Sequence, residues 1–105
     1  MNFSLDFDGT YTADPQLWTA FIHTAHKIGH TVYCISYRRD HEMQKVYDTV
    51  GKLIGIAACI STNRTPKKTY TKSIGLNIDV WIDDTPEMLI DVDDVHTWLN
   101  NVFVG

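Results

Sequence analysis

The stretch "NFSLDFDGTYT" at residues 2–12 sets two carboxylates, Asp6 and Asp8, one residue apart at the end of an apolar run, with Gly9 and Thr10 directly behind them. Such a run is either a buried strand meeting water or a strand that delivers a reaction centre. Residues 2–5 read as a short strand ending at Asp6. A helix follows almost at once: Asp14 is its N-cap, Pro15 its first residue, and Gly29 lies just past its end. Leu17, Trp18, Phe21, Ile22, Ala25 and Ile28 share one face of that helix.

Outward from this unit the pattern repeats. "HTVYCIS" (30–36) is a second strand, and Met43, Val46, Tyr47, Val50, Leu53 and Ile54 mark a second amphipathic helix closed by Gly55. "IAACIS" (56–61) is a third strand, Thr65-Pro66 opens a helix running to Gly75, and "IDVWI" (78–82) is a fourth strand. Thr85-Pro86 opens a further short helix. Val95, Trp98, Leu99 and Val102 mark a last helical face, where Trp98 and Phe103 read as core. Strands alternating with helices predict an α/β fold, a three-layer αβα sandwich around a small parallel sheet, as a single domain over 1–105.

Composition agrees with one soluble domain: 105 residues, 44% hydrophobic, 21% charged. A net charge of −4 argues against broad nonspecific nucleic-acid binding. Cys34 and Cys59, both inside apolar runs, read as buried free thiols of a reducing compartment. There is no basic stretch followed by a long apolar one at the N-terminus, and no run near the roughly 18 residues of a membrane span. The expected location is the cytoplasm, away from any membrane.

In parallel α/β folds, chemistry gathers at the carboxyl ends of the strands. Here the first strand ends in Asp6-Phe7-Asp8-Gly9-Thr10, the second in Ser36 followed by Tyr37-Arg38-Arg39, the third in Ser61-Thr62-Asn63-Arg64 before Pro66-Lys67-Lys68, and the fourth in Asp83-Asp84. Carboxylates gathered so closely repel one another and imply a bound cation, and oxygen-only ligands favour a hard ion such as Mg²⁺. Taken singly, each feature has a plain reading as a strand end, a helix cap or a solvated lysine. Their arrival in order on four successive strand ends is what carries the reading.

That order resembles the haloacid dehalogenase (HAD) superfamily of phosphotransferases. "FSLDFDGT" matches its first motif, "VYCIS" with Ser36 its second, the lysine of "TPKK" its third and "VWIDD" its fourth. The resemblance spans residues 2 to about 88, and the wording "DFDGTYT … VWIDDTPE" also looks like small phage-encoded members. It implies a Rossmann-like core and a Mg²⁺-dependent phosphatase acting through an aspartyl-phosphate. Asp6 would be the nucleophile, and Asp8 would protonate the leaving oxygen and then activate water. The metal would be held by Asp6, the backbone carbonyl of Asp8 and a fourth-motif acid: Asp84 with Asp83 behind it, or the two exchanged. Ser36 would bond a phosphoryl oxygen, with Thr10 also at the substrate. Lys67, in the first turn after Pro66, is preferred over Lys68 to screen the charge of the transferring group.

Family members often insert a cap domain after the first motif or the third strand. The short intervals Thr10–Asp14 and Cys59–Lys67 predict a capless core with an open site. Such a site suits a large substrate or closure by a second copy in a homo-oligomer. Arg38, Arg39, Arg64, Lys67 and Lys68 fall in the loops of this edge, which suits a phosphorylated small molecule, a nucleotide or a nucleic-acid end, with Arg38 as the best single contact. His26 and His30 flank Gly29 without a zinc motif, and "DVDD" (91–94) lacks the glycine and spacing of a calcium loop. The rival readings are a non-catalytic phosphate- or partner-binding module on the same fold, and a receiver domain. In a receiver domain the acid pair ends the first strand and the phosphoacceptor comes later, the reverse of the order here.

Overall fold

Asn2–Leu5 forms β1, and it pairs in parallel on both sides: Phe3 opposite Val32 and Val80, Ser4 opposite Tyr33 and Trp81. Its neighbours are β2 (Thr31–Ser36) and β4 (Val80–Ile82), and β3 (Cys59–Ser61) lies outside β2, giving the order β3-β2-β1-β4. The computed structural model describes residues 1–85 and Leu89. The helix expected from Thr85-Pro86, the "DVDD" run and the face of Val95, Trp98, Leu99, Val102 and Phe103 lie outside them. The chain is a compact α/β domain with a small parallel sheet and several helices. Among the described residues no helix is long and apolar enough to cross a membrane.

Burial explains why these strands are apolar throughout. Cys34 and Ile35 are adjacent in β2, point to opposite faces, and are both fully buried, so β2 is covered on each side. The main core gathers Leu5, Phe7, Ile22, Val32, Cys34, Met43, Val46 and Val50, with Phe3 set edge-on to Phe21 at 5.3 Å. Each of the Leu, Phe, Ile, Val and Met side chains contributes roughly 1.5–3 kcal/mol by leaving water. Cys34 and Cys59 are free and face each other in register; burial pushes both thiols up, Cys59 to about 11.

Helix α1 (Pro15–Lys27) starts as expected, with the Asp14 carboxylate accepting the Leu17 N–H at 3.1 Å. Its buried stripe is narrower than the sequence pattern: Ile22 and Ala25 are buried, whereas Leu17 and Ile28 are exposed. The single second helix is instead two, α2 (Gln44–Asp48) and α3 (Gly51–Ile54). The break falls at Thr49, whose hydroxyl donates to Lys45 O at 2.7 Å and competes with the helix ladder. Gly51 is then tucked under α2, where a Cβ would lie 3.3 Å from Val46 O.

The other strands are also shorter than the apolar runs. Ile56–Ala58 is a 3₁₀ turn with Ile56 exposed, and only Cys59–Ser61 pairs with β2. Ile78 and Asp79 likewise precede β4. Helix α4 (Lys67–Ser73) begins one residue later than expected: Pro66 is extended, with ψ 134, and among the described residues no side chain caps the helix.

Candidate functional site

Parallel pairing brings the four strand ends to one edge. Leu5 is in register with Ile82, and the Asp6 N–H donates to Ile82 O at 2.9 Å, so Asp6 and Asp83 leave the sheet side by side. Ser36 is in register with Ser61 on the far side. The chain after β1 turns back on itself, with the Tyr11 N–H donating to Asp6 O and the Thr12 N–H to Phe7 O, each at 3.1 Å. Phe7 points into the core and stacks on Tyr11, which leaves Asp6 and Asp8 on the opposite side.

The centre of this edge is an ammonium held by acids. Lys67, 2% exposed, extends from the first residue of α4 and donates through Nζ to Asp6 Oδ1 at 2.7 Å and Asp83 Oδ2 at 2.5 Å. Burial pulls the Lys67 pKa down, but the bonds to Asp6 and Asp83 outweigh it and leave it above its usual value. Asp84 completes the group: oxygens of Asp6, Asp83 and Asp84 all lie within 4.8 Å of one another. Thr10 is buried against them, its hydroxyl 3.4 Å from Asp6 Oδ2 and 3.5 Å from Asp84 Oδ1. Three carboxylates around one ammonium leave two negative charges uncompensated. Burial, reinforced by Asp84 and Asp83 and opposed by Lys67, pushes the Asp6 carboxyl up to about 7.

Gly9 is what admits Asp84. Its φ of 79° is left-handed, and a Cβ there would lie 2.1 Å from Asp84 Oδ2. The donor set is all oxygen, carries surplus negative charge and is closely spaced, which fits a hard divalent cation.

Asp8 sits apart from this group. Arg38 grips it in a bidentate pair, Nε to Oδ2 at 2.9 Å and Nη2 to Oδ1 at 2.8 Å. The third guanidinium nitrogen donates to Glu42 O at 2.7 Å, and the plane lies over the Phe7 ring, 5.3 Å from its centroid. The Arg38 bonds hold the Asp8 carboxyl below the usual carboxylate range and raise Arg38 in return. Ser36, 1% exposed, accepts the Arg38 N–H at 3.4 Å.

A cavity of about 350 Å³ joins these parts; Asp6, Asp8, Ser36, Lys67 and Asp83 line it together with Arg38 and Arg64. Thr10 and Asp84 face a neighbouring hollow instead. Of the two candidate lysines, Lys67 enters the acid group and Lys68 lies over the Trp81 ring, 6.0 Å from its centroid. Asp83 is committed to Lys67 and to the Thr85 N–H at 2.9 Å, while among the described residues the hydrogen bonds of Asp84 are the long ones from the hydroxyls of Thr10 and Thr85. Arg39 points to solvent. Glu42 and Thr85 also line the cavity and carry no signal in the sequence, because only the meeting of separate loops puts them there.

Set against protein-family models, curated proteins and solved structures, the chain matches none of them.

Proposed function

We propose that this protein is a Mg²⁺-dependent phosphomonoester hydrolase built on a capless HAD-type core and working through an aspartyl-phosphate on Asp6. One observation carries the reading: the buried Lys67 ammonium bridges Asp6 of the first strand end and Asp83 of the last, with Ser36 and Asp8 on the same cavity. Residues from all four sequence motifs thus line one cavity. The strand order supports the same core. With crossovers of the usual right hand, this order would set α1 to α3 on one face of the sheet and α4 on the other, the three-layer arrangement of such a core.

The residues assign themselves by chemistry. Asp6 Oδ attacks phosphorus while the ester P–O bond breaks, and Asp8 gives its proton to the departing oxygen. Asp8 then takes a proton from water as that water attacks phosphorus and frees Asp6. Ser36 donates its hydroxyl to a phosphoryl oxygen, and Lys67 holds the nucleophile's second oxygen. Mg²⁺ would be held by Asp6, Asp84 and the backbone carbonyl of Asp8, with Asp83 behind them on Lys67, and would supply positive charge to the transferring phosphoryl group.

Purified protein with Mg²⁺ should release phosphate from an aryl phosphate, and Asp6→Asn should lower that rate on the order of 10³-fold or more with the circular dichroism spectrum unchanged. A wild type that turns over no phosphoester in a broad panel with any divalent metal would sink the enzyme reading.

A further inference from the structure

The cavity continues past the acids onto a wall formed by Tyr37, Arg38, Glu42 and Arg64. Two loops make this wall, and they are bonded into one piece. The Ser61 hydroxyl donates to Arg38 O at 2.7 Å and the Asn63 N–H to the same oxygen at 3.1 Å. The Asp40 N–H donates to Asn63 Oδ1 at 2.9 Å, and Asn63 Nδ2 donates to Asp40 Oδ2 at 3.2 Å. The result holds Asn63 and Arg64 in succession at left-handed φ values of 51° and 64°. Side chains other than glycine rarely adopt that conformation, and where surrounding bonds enforce it, it aims a side chain.

The two arginines of the wall are in different states. Arg38 has all three guanidinium nitrogens engaged at 2.7–2.9 Å. Arg64 is half exposed, and among the described residues its polar side-chain contacts are those of Nη2 with the two Glu42 oxygens, at 3.4 and 3.5 Å. That is long for a charge-assisted bond. Glu42 is itself tied by the Arg39 N–H at 2.9 Å. Arg64 is therefore a cation aimed by a rigid loop, loosely parked on a fixed carboxylate, at the mouth of a cavity whose floor is the phosphoryl site.

We infer that Arg64 reads a second phosphate: the substrate is a phosphomonoester whose leaving group carries a further phosphate group, and Tyr37 lies against that leaving group. The inference rests on the hydrolase reading above and names its substrate class. A phosphate carries more charge than the Glu42 carboxylate and accepts the guanidinium fork in two bonds, so it displaces the 3.4 Å contact. The cavity, at about 350 Å³, lies at the small end of ligand sites and takes one compact leaving group. In the reaction Asp6 takes the scissile phosphoryl group as its ester P–O bond breaks, the alcohol departs with its proton and its second phosphate unchanged, and water then frees Asp6.

The test compares adenosine 3′,5′-bisphosphate with each adenosine monophosphate in Mg²⁺, for wild type, Arg64→Gly and Arg64→Lys; a charged bond of this kind is worth on the order of tenfold to a hundredfold. Glycine suits the left-handed backbone, so Arg64→Gly removes the charge without straining the loop. Wild type should favour the bisphosphate in kcat/KM by about tenfold or more, Arg64→Gly should bring the ratio near one, and Arg64→Lys should restore part of it. A wild-type ratio near one, or an Arg64→Gly that lowers all substrates alike and keeps the ratio, overturns the inference. A sugar bisphosphate and a 3′-phosphorylated dinucleotide, whose second phosphate is a diester, distinguish the sources of that group. If nothing is hydrolysed, calorimetric titration with the same adenosine compounds decides. Tighter binding of the bisphosphate that depends on Arg64 keeps Arg64 as the reader of a second phosphate and sinks the hydrolase reading, and equal binding overturns the inference.

Discussion

Asp6 and Asp8 stand two residues apart on one strand end, yet their surroundings push their carboxyl groups in opposite directions. Asp6 lies inside, where it shares a single buried ammonium with Asp83 beside Asp84, and it is driven up to about 7. Asp8 lies outside, has a guanidinium to itself, and is held below the ordinary range. Opposed shifts of this kind mark a division of labour. The proposed reaction asks for the reverse: the nucleophile as a free carboxylate and the general acid with its proton. A cation among Asp6, Asp83 and Asp84 lowers Asp6, and a phosphate that draws Arg38 away frees Asp8 to take a proton. Each ligand corrects one of the two carboxyls.

The inner half of the comparison breaks most visibly at Lys67. Replacing it with methionine, Lys67→Met, leaves Asp6 and Asp83 buried without their ammonium, and losing one partner of a buried pair costs about 3–5 kcal/mol. Urea unfolding of the metal-free variant near neutral pH should show that loss. It should shrink on acidification or on adding Mg²⁺, which replaces the missing charge. Equal stability of variant and wild type under all three conditions would mean that the acids are not strained against one another.

The next largest effect is the pH dependence of the metal-free wild type. The folded Asp6 pKa, about 7, lies above its ordinary 3.8, so the folded state keeps a proton that the unfolded chain has released. The contribution is fully present below about pH 4 and is lost as pH rises through about 7. Thermal midpoints should therefore fall across that window in chelator. Asp6→Asn, which cannot titrate, should flatten the fall, and saturating Mg²⁺ should oppose it. A midpoint that rises with pH over the same range in wild type would contradict the inner environment described for Asp6.

What the sequence disclosed follows the same division between near and far. Strand ends were legible because an apolar run followed by acids, or by Ser36, is a local signal, and Asp14-Pro15 announces α1 by its capping carboxylate and fixed proline φ. The parallel sheet followed from alternation. The breaks were not legible. Thr49 and Gly51 split a periodic apolar pattern through a hydroxyl bond and a close backbone approach that only packing creates, and "IAA" before Cys59 reads as strand until the partner runs out. At the site, the residues that end strands could be named one by one. The pairing of Arg38 with Asp8, 30 positions away, and the left-handed pair Asn63-Arg64 could not, because neither leaves a mark on its neighbours in the chain.

The outer half of the comparison gives the smallest energetic effect and the sharpest assignment. Asp8 is largely exposed and Arg38 a quarter exposed, so their pair stabilises the fold by about 1 kcal/mol or less despite its bidentate geometry. Arg38→Met should accordingly barely move the unfolding midpoint, while the methionine still covers the Phe7 ring. What should move is Asp8 itself. With its guanidinium gone the carboxyl returns upward toward the ordinary range, visible as a higher titration midpoint of its carboxyl carbon by NMR, with Asp6 left high by its own burial. The sign for stability is opposite to that of Asp6: a depressed carboxyl stabilises above its unfolded pKa and loses that contribution as pH falls. If Asp8 and Asp6 instead moved together in Arg38→Met, the two carboxyls would form one coupled system rather than two environments, and separate roles for them would lose their physical basis.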